Sequence, residues 1–342
     1  MNQINSFCAS FYGILCPGLT SKTKLSFTSL NSSFTECVRS NYIFSLHAPS
    51  INFHDITDTL ELWKDEYFSD NDHKPVLSST VGDHSFTSCT FVDLSSEHNG
   101  GAICYTSGSS LFIDQCTFTR CKTTESYTHS CGGGAVYTIS GTLSVINTSF
   151  LCCTTSSFGG GIFSYSSCSS SDIKFSIFID CNGPYGGGVN TYCGPTSSIT
   201  SSRFLMCTGT ASAGGFYHDS NSGATSISVS DSLFAHNCAA FQPDELPNRG
   251  GGGFETYRSQ PFPFHYAFLF FHGNIAKNNV GHDITSHAYP LPDNTLVYSF
   301  TTTAENSFSN SGHEEKDWLP LTTVSLLLSQ SLSPLHFSLP LK

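Results

Sequence analysis

Four cysteines, Cys121, Cys153, Cys181 and Cys207, each stand three residues after a phenylalanine (Phe118, Phe150, Phe178 and Phe204). Thiols in a shared register can bind a soft metal, form bridges, or pack as small buried donors. Zinc sites usually show close pairs such as Cys-x-x-Cys, and none fits here, so metal is the weakest of the three. Asn237 and Asn274 continue the register after Phe234 and Phe271, which favours a buried polar column. If successive copies stack at the strand spacing of ~4.8 Å, bridges between neighbours stay geometrically open. Cys152, beside Cys153, is expected on the opposite side of a strand.

Acid–base catalysis would need carboxylates gathered on one face. Counted from the nearest motif phenylalanine, Asp93 and Asp180 fall two residues after it, Asp114 four before, Asp231 three before and Asp172 six before. Asp93 and Asp180 share a column but lie three copies apart, roughly 14 Å at the strand spacing, too far for paired glycosidase carboxylates. Arg120 and Arg203 do not share a register, and the clustered acids of a calcium-dependent site are missing. His54-Asp55 and His218-Asp219 read as exposed polar pairs. The expectation is therefore no catalytic residue, no cofactor and no metal.

The elements that carry these residues repeat. Glycine clusters end at Gly101, Gly134, Gly161, Gly188, Gly215 and Gly253, with three central spacings of 27 residues. Between them recur the phenylalanines 118, 150, 178, 204, 234 and 271, with Phe34/Cys37 as an early copy and Phe91/Leu94 as a degenerate one. Two residues before the phenylalanine sits a small residue (Cys89, Cys116, Thr148, Ser176, Ser202, Ser232). Five before it sits an apolar one (Phe86, Ile113, Val145, Ile173, Ile199, Val229). Segments such as Leu143-Ser-Val145 alternate, as half-buried strands do. A period near 27 is too short for a propeller blade or a helical repeat and suits one coil of a β-solenoid. The phenylalanines are expected to stack inside, with glycines where the backbone turns or meets its neighbour.

The pairing of Gly100-Gly101-Ala102-Ile103 with Phe271-x-x-Asn274 resembles the repeats of polymorphic outer-membrane proteins, and more broadly the pectin-lyase-like parallel β-helix family. The resemblance covers about residues 86 to 284, and more loosely from 27. Cys in place of Asn is a departure also met in protist surface relatives of that family. The resemblance implies an all-β, right-handed parallel β-helix of about seven or eight coils. It implies a surface-displayed or secreted, adhesin-like protein; the fold also houses polysaccharide lyases and hydrolases, and it is the scattered acids that make the expectation non-catalytic. A carbohydrate-active lyase or hydrolase and a fragment of a longer repeat protein are the alternatives. No sequence matching the family's C-terminal barrel stands out.

Composition narrows the partners. Twenty-six acids face 14 Lys plus Arg, a net charge of −12 with no basic run, which disfavours nucleic acid and anionic lipid. No apolar run approaches the ~20 residues of a membrane span, and residues 1–26 lack a clear secretory signal, reading as a lead-in. The repeat domain is placed at 27–284, with an acidic excursion or cap at 54–74. Residues 285–342 are expected to be a weakly ordered, non-repeat tail. Phe-to-glycine connections run 10 or 11 residues in four coils but 16 after Phe118 and 19 after Phe234. Lengthened loops on a rigid scaffold often bind. Lys122, Tyr127, His129, Phe241 and Arg249 are thus the candidate binding residues, for a glycan or a host-cell or protein surface.

Overall fold

The computed structural model describes residues 59–69, 75, 77–79, 82–124, 131–165, 167–192, 196–220, 226–240, 250–258, 264–277 and 282–286. It also gives backbone strands at Lys22–Ser26, Ser33–Phe34, Ile51–Asn52 and Phe308–Asn310. All described elements are strands, and four sheets of 9, 9, 8 and 7 strands, parallel but for Lys22–Ser26 at one edge, wind into a β-solenoid. One turn is typified by Gly141–Ile146, Ser149–Leu151, Thr154–Thr155 and Ile162–Ser164. These four strands belong to what we call the broad, phenylalanine, corner and glycine sheets. The 7-stranded corner sheet counts seven turns with all four strands, and a three-strand turn precedes them.

The phenylalanine register is the spine. Phe91, Phe118, Phe150, Phe178, Phe204 and Phe234 are wholly buried. Successive rings lie 4.4 to 4.8 Å apart within 4° of parallel, and Phe271 continues the stack at 5.4 Å. That spacing is the strand repeat itself, so the rings fill the interior without lateral offset. Backbone geometry brackets each phenylalanine. The residues three before it (Ser88, Gln115, Asn147, Phe175, Ser201, Asp231, Phe268) and two after it (Asp93, Arg120, Cys152, Asp180, Met206, His236) all have φ near +50°. Two left-handed corners per turn thus swing the chain around a three-residue strand, and most are not glycine despite the conformational cost. Cys152 does face outward, but from a corner rather than from within a strand.

Glycine serves close approach. A Cβ on Gly160 would lie 2.1 Å from the Gly187 carbonyl oxygen and 2.6 Å from the Asn182 nitrogen. One on Gly161 would press the Phe178 ring at 3.0 Å. Pairing of Ile103 with Val136 and of Val136 with Ile162 aligns Gly101 and Gly134 with Gly160 rather than Gly161. Ala102 and Ala135 then occupy the Gly161 register.

The small residues two before the phenylalanine form a hydrogen-bonded ladder. The N–H groups of Cys116, Thr148, Ser176 and Ser202 donate to the side chains of Thr148, Ser176, Ser202 and Ser232 at 3.2–3.3 Å. Each hydroxyl in turn donates to the carbonyl two residues before it, as Ser176 does to Lys174 at 2.8 Å. The left-handed corner takes these N–H groups out of the sheet, and a short hydroxyl side chain satisfies them.

Several expectations need correction. Within the acidic segment 54–74, strands Thr59–Lys64 and Tyr67–Ser69 form the first turn, not an excursion or cap. Trp63 stacks on Phe86 at 4.4 Å and Phe68 on Phe91 at 4.9 Å. The Trp63/Phe68 spacing repeats the apolar-to-Phe interval, a signal masked by the surrounding acids. Ser33–Phe34, read as an early copy, instead pairs antiparallel with Ile51–Asn52 outside the stack. Lys22–Ser26 of the lead-in adds antiparallel to the broad sheet. At the other end Ile284–Ser286 and Phe308–Asn310 extend the glycine sheet into the segment read as tail.

Candidate binding flank

The corner sheet roots both lengthened connections. Strands Lys122–Thr123, Thr154–Thr155, Asn182–Gly183, Thr208–Gly209 and Cys238–Ala239 pair in that order. The two roots are therefore four turns apart, roughly 19 Å. The Lys122 side chain is exposed, while Thr123 turns inward and donates to Thr155 Oγ1 at 2.7 Å. Tyr127, His129, Phe241 and Arg249 lie outside the described residues, so of the five candidates only Lys122 is placed.

Where the connections rejoin the solenoid, they meet the outer face of the glycine sheet. That face is not solvated as a simple solenoid would suggest. Tyr137, Phe163, Asn190, Tyr217 and Glu255 all point outward, yet each is 3% exposed or less. Connection residues such as Phe158 and Tyr185 stack over it, the two rings 5.1 Å apart. A second, smaller core of Cys104, Tyr137, Phe158 and Phe163 results. Burial pushes the Cys104 thiol up to about 11. Gly132, closing the first long connection, donates its N–H to Asn99 Oδ1 at 3.1 Å. At the second, Glu255 accepts from the Gly250 N–H at 3.3 Å and from the Ser212 hydroxyl. One buried carboxylate thus ties two adjacent connections.

Beside this covered zone runs a column at the end of the glycine strands. Ser164 pairs with Thr191, so Tyr165 and Tyr192 share a register, and Tyr192, Asp219 and Tyr257 pair directly. The three tyrosines are half-buried. Tyr165 and Tyr192 stack at 5.3 Å with 16° between planes. Asp219 interrupts the aromatic strip with a carboxylate that accepts from the Tyr217 hydroxyl at 3.4 Å.

His218 and Asp219 are not the exposed pair expected. Alternation in strand Phe216–Ser220 sends them to opposite faces, His218 fully buried inside and Asp219 outside at 8%. Inside, His218 Nδ1 meets Thr191 Oγ1 at 2.7 Å, in a column of buried polar residues with Thr138, Ser164 and Thr256. His54-Asp55 lies outside the described residues.

The cysteine register holds four thiols on the interior side of the phenylalanine spine, all 0% exposed. Each Sγ–H reaches two carbonyls, that of the phenylalanine one turn earlier, from Cys121 to Phe91 at 3.8 Å through Cys181 to Phe150 at 3.5 Å, and that of the residue two before it at 3.6–3.8 Å. Asn237 and Asn274 make the same bond through Nδ2 at 2.9 Å, to Phe204 and Phe234. Their Oδ1 atoms additionally accept the N–H groups of Cys207 and Asn237. Asp283 Oδ1 closes the ladder by accepting from Asn274 Nδ2 at 3.0 Å. Burial pushes Cys181 well above the usual thiol range. All four thiols are closed off from solvent, which withholds them from reagents in the folded protein.

Of the charged residues, Arg120 and Asp93 are brought together. Both sit two after a phenylalanine in adjacent turns, a relation that does not emerge from comparing Arg120 with Arg203. The guanidinium donates twice, Nε to Oδ1 at 2.6 Å and Nη2 to Oδ2 at 2.7 Å. That bond holds the Asp93 carboxyl below its ordinary value. Asp180 accepts from the exposed Cys152 thiol at 3.7 Å. Among the described residues no three His, Cys, Asp or Glu side chains converge on a metal position, and no helix is long and apolar enough to cross a membrane. In comparison with known proteins, the chain matches no family model, no curated protein and no solved structure.

Proposed function

We propose that this β-solenoid is a non-catalytic, adhesin-like binding protein, displayed at a cell surface or secreted, that holds an extended glycan along the flank of its glycine sheet. The reading takes the surface location from the likeness to polymorphic outer-membrane protein repeats and the wider pectin-lyase-like family. The observation that carries it is the half-buried column of Tyr165, Tyr192 and Tyr257 with Asp219 set among them. Tyr165 and Tyr192 turn their faces to each other, so the strip offers ring edges and phenol oxygens to a sugar chain, with a carboxylate among them to take its hydroxyls. The strip repeats at the turn spacing, so it suits a chain of units better than a single small molecule. The long connections leave the neighbouring corner and would border the same flank.

The test is a glycan array probed with the full chain and with Tyr192→Ala. Binding should fall by about tenfold or more, the effect of truncating an aromatic anchor, with the circular dichroism melt retained. Equal binding by both proteins removes the flank from consideration.

A carbohydrate-active reading draws on one further observation. Asp219 and Glu255 both face outward in adjacent turns, offset by two residues, so their backbones are roughly 8 Å apart. Glu255 is closed off beneath Ser212 and Gly250 and is fully buried, which fits a clamp better than an acid catalyst. Release of reducing ends from a bound glycan, abolished by Asp219→Asn, would reverse that judgement.

A further inference from the structure

The outer face of the phenylalanine sheet changes character along the solenoid. In the strands Thr90–Val92, Thr117–Thr119 and Ser149–Leu151 the outward positions are mostly Thr or Ser. In the later turns they become Ile177, Ile179, Leu205, Leu233, Ala235 and Phe270, with Arg203 and the exposed His272 as the polar positions; Ile177 and Ala235 are buried and the other four half-buried. The corners add Phe175, Met206 and Phe268, which are 56%, 52% and 51% exposed. The phenylalanine column runs through both halves, so folding places no apolar demand on this outer face. Its four turns span roughly 14 Å between the first and last strand. Half-buried aliphatic side chains edged by exposed Phe175, Met206 and Phe268 are the composition of an interaction site.

Arg203 interrupts this face. It pairs in register between Ile177 and Leu233 and is half-buried. Asp180 and Asp231 stand at the two corners of the face, yet Arg203 enters no ion pair among the described residues. A guanidinium set among aliphatic side chains, in no ion pair among the described residues, is the residue type that anchors protein interfaces by gripping a carboxylate. Two-fold packing of this chain on itself through the centre of the face would oppose Arg203 to its own copy. That like-charge contact would be desolvated and unfavourable.

We propose that this face docks a different protein, through an apolar segment that presents an Asp or Glu to Arg203. The surface lies on another sheet from the tyrosine strip and does not depend on glycan binding.

Displayed random peptides selected on the full chain test this, with variants that copy residues the same register already holds. Leu205→Thr reproduces Thr119, and Arg203→Thr reproduces Thr117, so neither should disturb the fold. Selected peptides should combine Asp or Glu with aromatic or aliphatic residues. They should bind Arg203→Thr and Leu205→Thr about tenfold or more weakly, and Arg203→Glu should select Lys or Arg instead. Peptides indifferent to all three substitutions, or no enrichment over an unrelated β-protein, would overturn the proposal. A concentration-dependent dimer in sedimentation velocity that Leu205→Thr dissolves would assign the face to a second copy and equally overturn it.

Discussion

From Cys121 onward, the side chain three residues after each phenylalanine shares a task, to donate to the phenylalanine carbonyl of the preceding turn. Cysteine performs it weakly, at 3.5–3.8 Å, and asparagine well, at 2.9 Å with a second bond through Oδ1. That shared task explains why the two alternate in one register. Cys207→Asn extends the existing asparagine ladder upward by one rung, adding an acceptor for the Cys181 N–H. It should raise stability by ~1 kcal/mol, the net worth of one added hydrogen bond, read as a higher denaturation midpoint. A fall would mean the column is too tightly packed for the amide. Phe178 is stacked on both sides at 4.7 and 4.8 Å, so its neighbours cannot close over a gap. Phe178→Ala should therefore cost ~3–5 kcal/mol in chemical denaturation.

At the scale of the elements, the two left-handed corners do more than turn the chain. They set a pair of outward columns in which residues can meet their counterparts in adjacent turns. Arg120 and Asp93 use one such column. The Asp93 carboxyl is held below its ordinary value by the Arg120 hydrogen bonds. What the pair adds to stability is thus present above the ordinary carboxylate pKa and lost as pH falls through the lowered one. Both side chains are over half exposed, so the energetic effect is small and screened by salt. The sensitive readout is the titration itself. In Arg120→Leu, the Asp93 carboxyl followed by NMR should titrate nearer its ordinary value, with the thermal melt barely moved. An unchanged Asp93 titration would show that the pair does not persist in solution.

The same scale shows what could be read in advance. The phenylalanine, small-residue and apolar registers were legible because three positions agree in the six copies from Phe91 to Phe234, and stacking makes each agreement a packing constraint. The first turn was hidden although Trp63, Phe68 and Asn71 keep the sequence intervals of the later copies. Acids surround them, Glu66 replaces the small residue two before the phenylalanine, and no glycine cluster follows. Leu77 pairs with Ile103, so Pro75 stands in the register of Gly101. The tyrosine strip was equally regular, each tyrosine three residues after Ile162, Val189 or Phe254. Its meaning depended on the connections folding over the outer face, which spacing alone does not convey. The burial of Glu255 and Asp219 follows from the same covering layer.

The whole molecule is a one-dimensional stack, and its ionisable interior makes it base-sensitive. Burial pushes Cys104 up to about 11 and raises Cys181 and Tyr266 well above their ordinary values. A folded value above the unfolded one means that the contribution is complete below the unfolded thiol pKa and is lost as pH rises. Each such thiol should remove about 1.4 kcal/mol per pH unit above roughly pH 9 until its folded value is reached. Denaturation midpoints should thus fall steeply on the alkaline side and vary little from pH 6 to 8.

The interior columns organise both proposed surfaces, since they free the outer faces for binding. Alkylation of the native protein followed by mass spectrometry under non-reducing conditions tests them most directly. Among the described cysteines, Cys152 should label first, because it alone is exposed. Cys121, Cys153, Cys181 and Cys207 should label only after unfolding, all four as free thiols. Rapid native labelling of these four would contradict the interior column, and recovery of a Cys153–Cys181 bridge would contradict the thiol ladder.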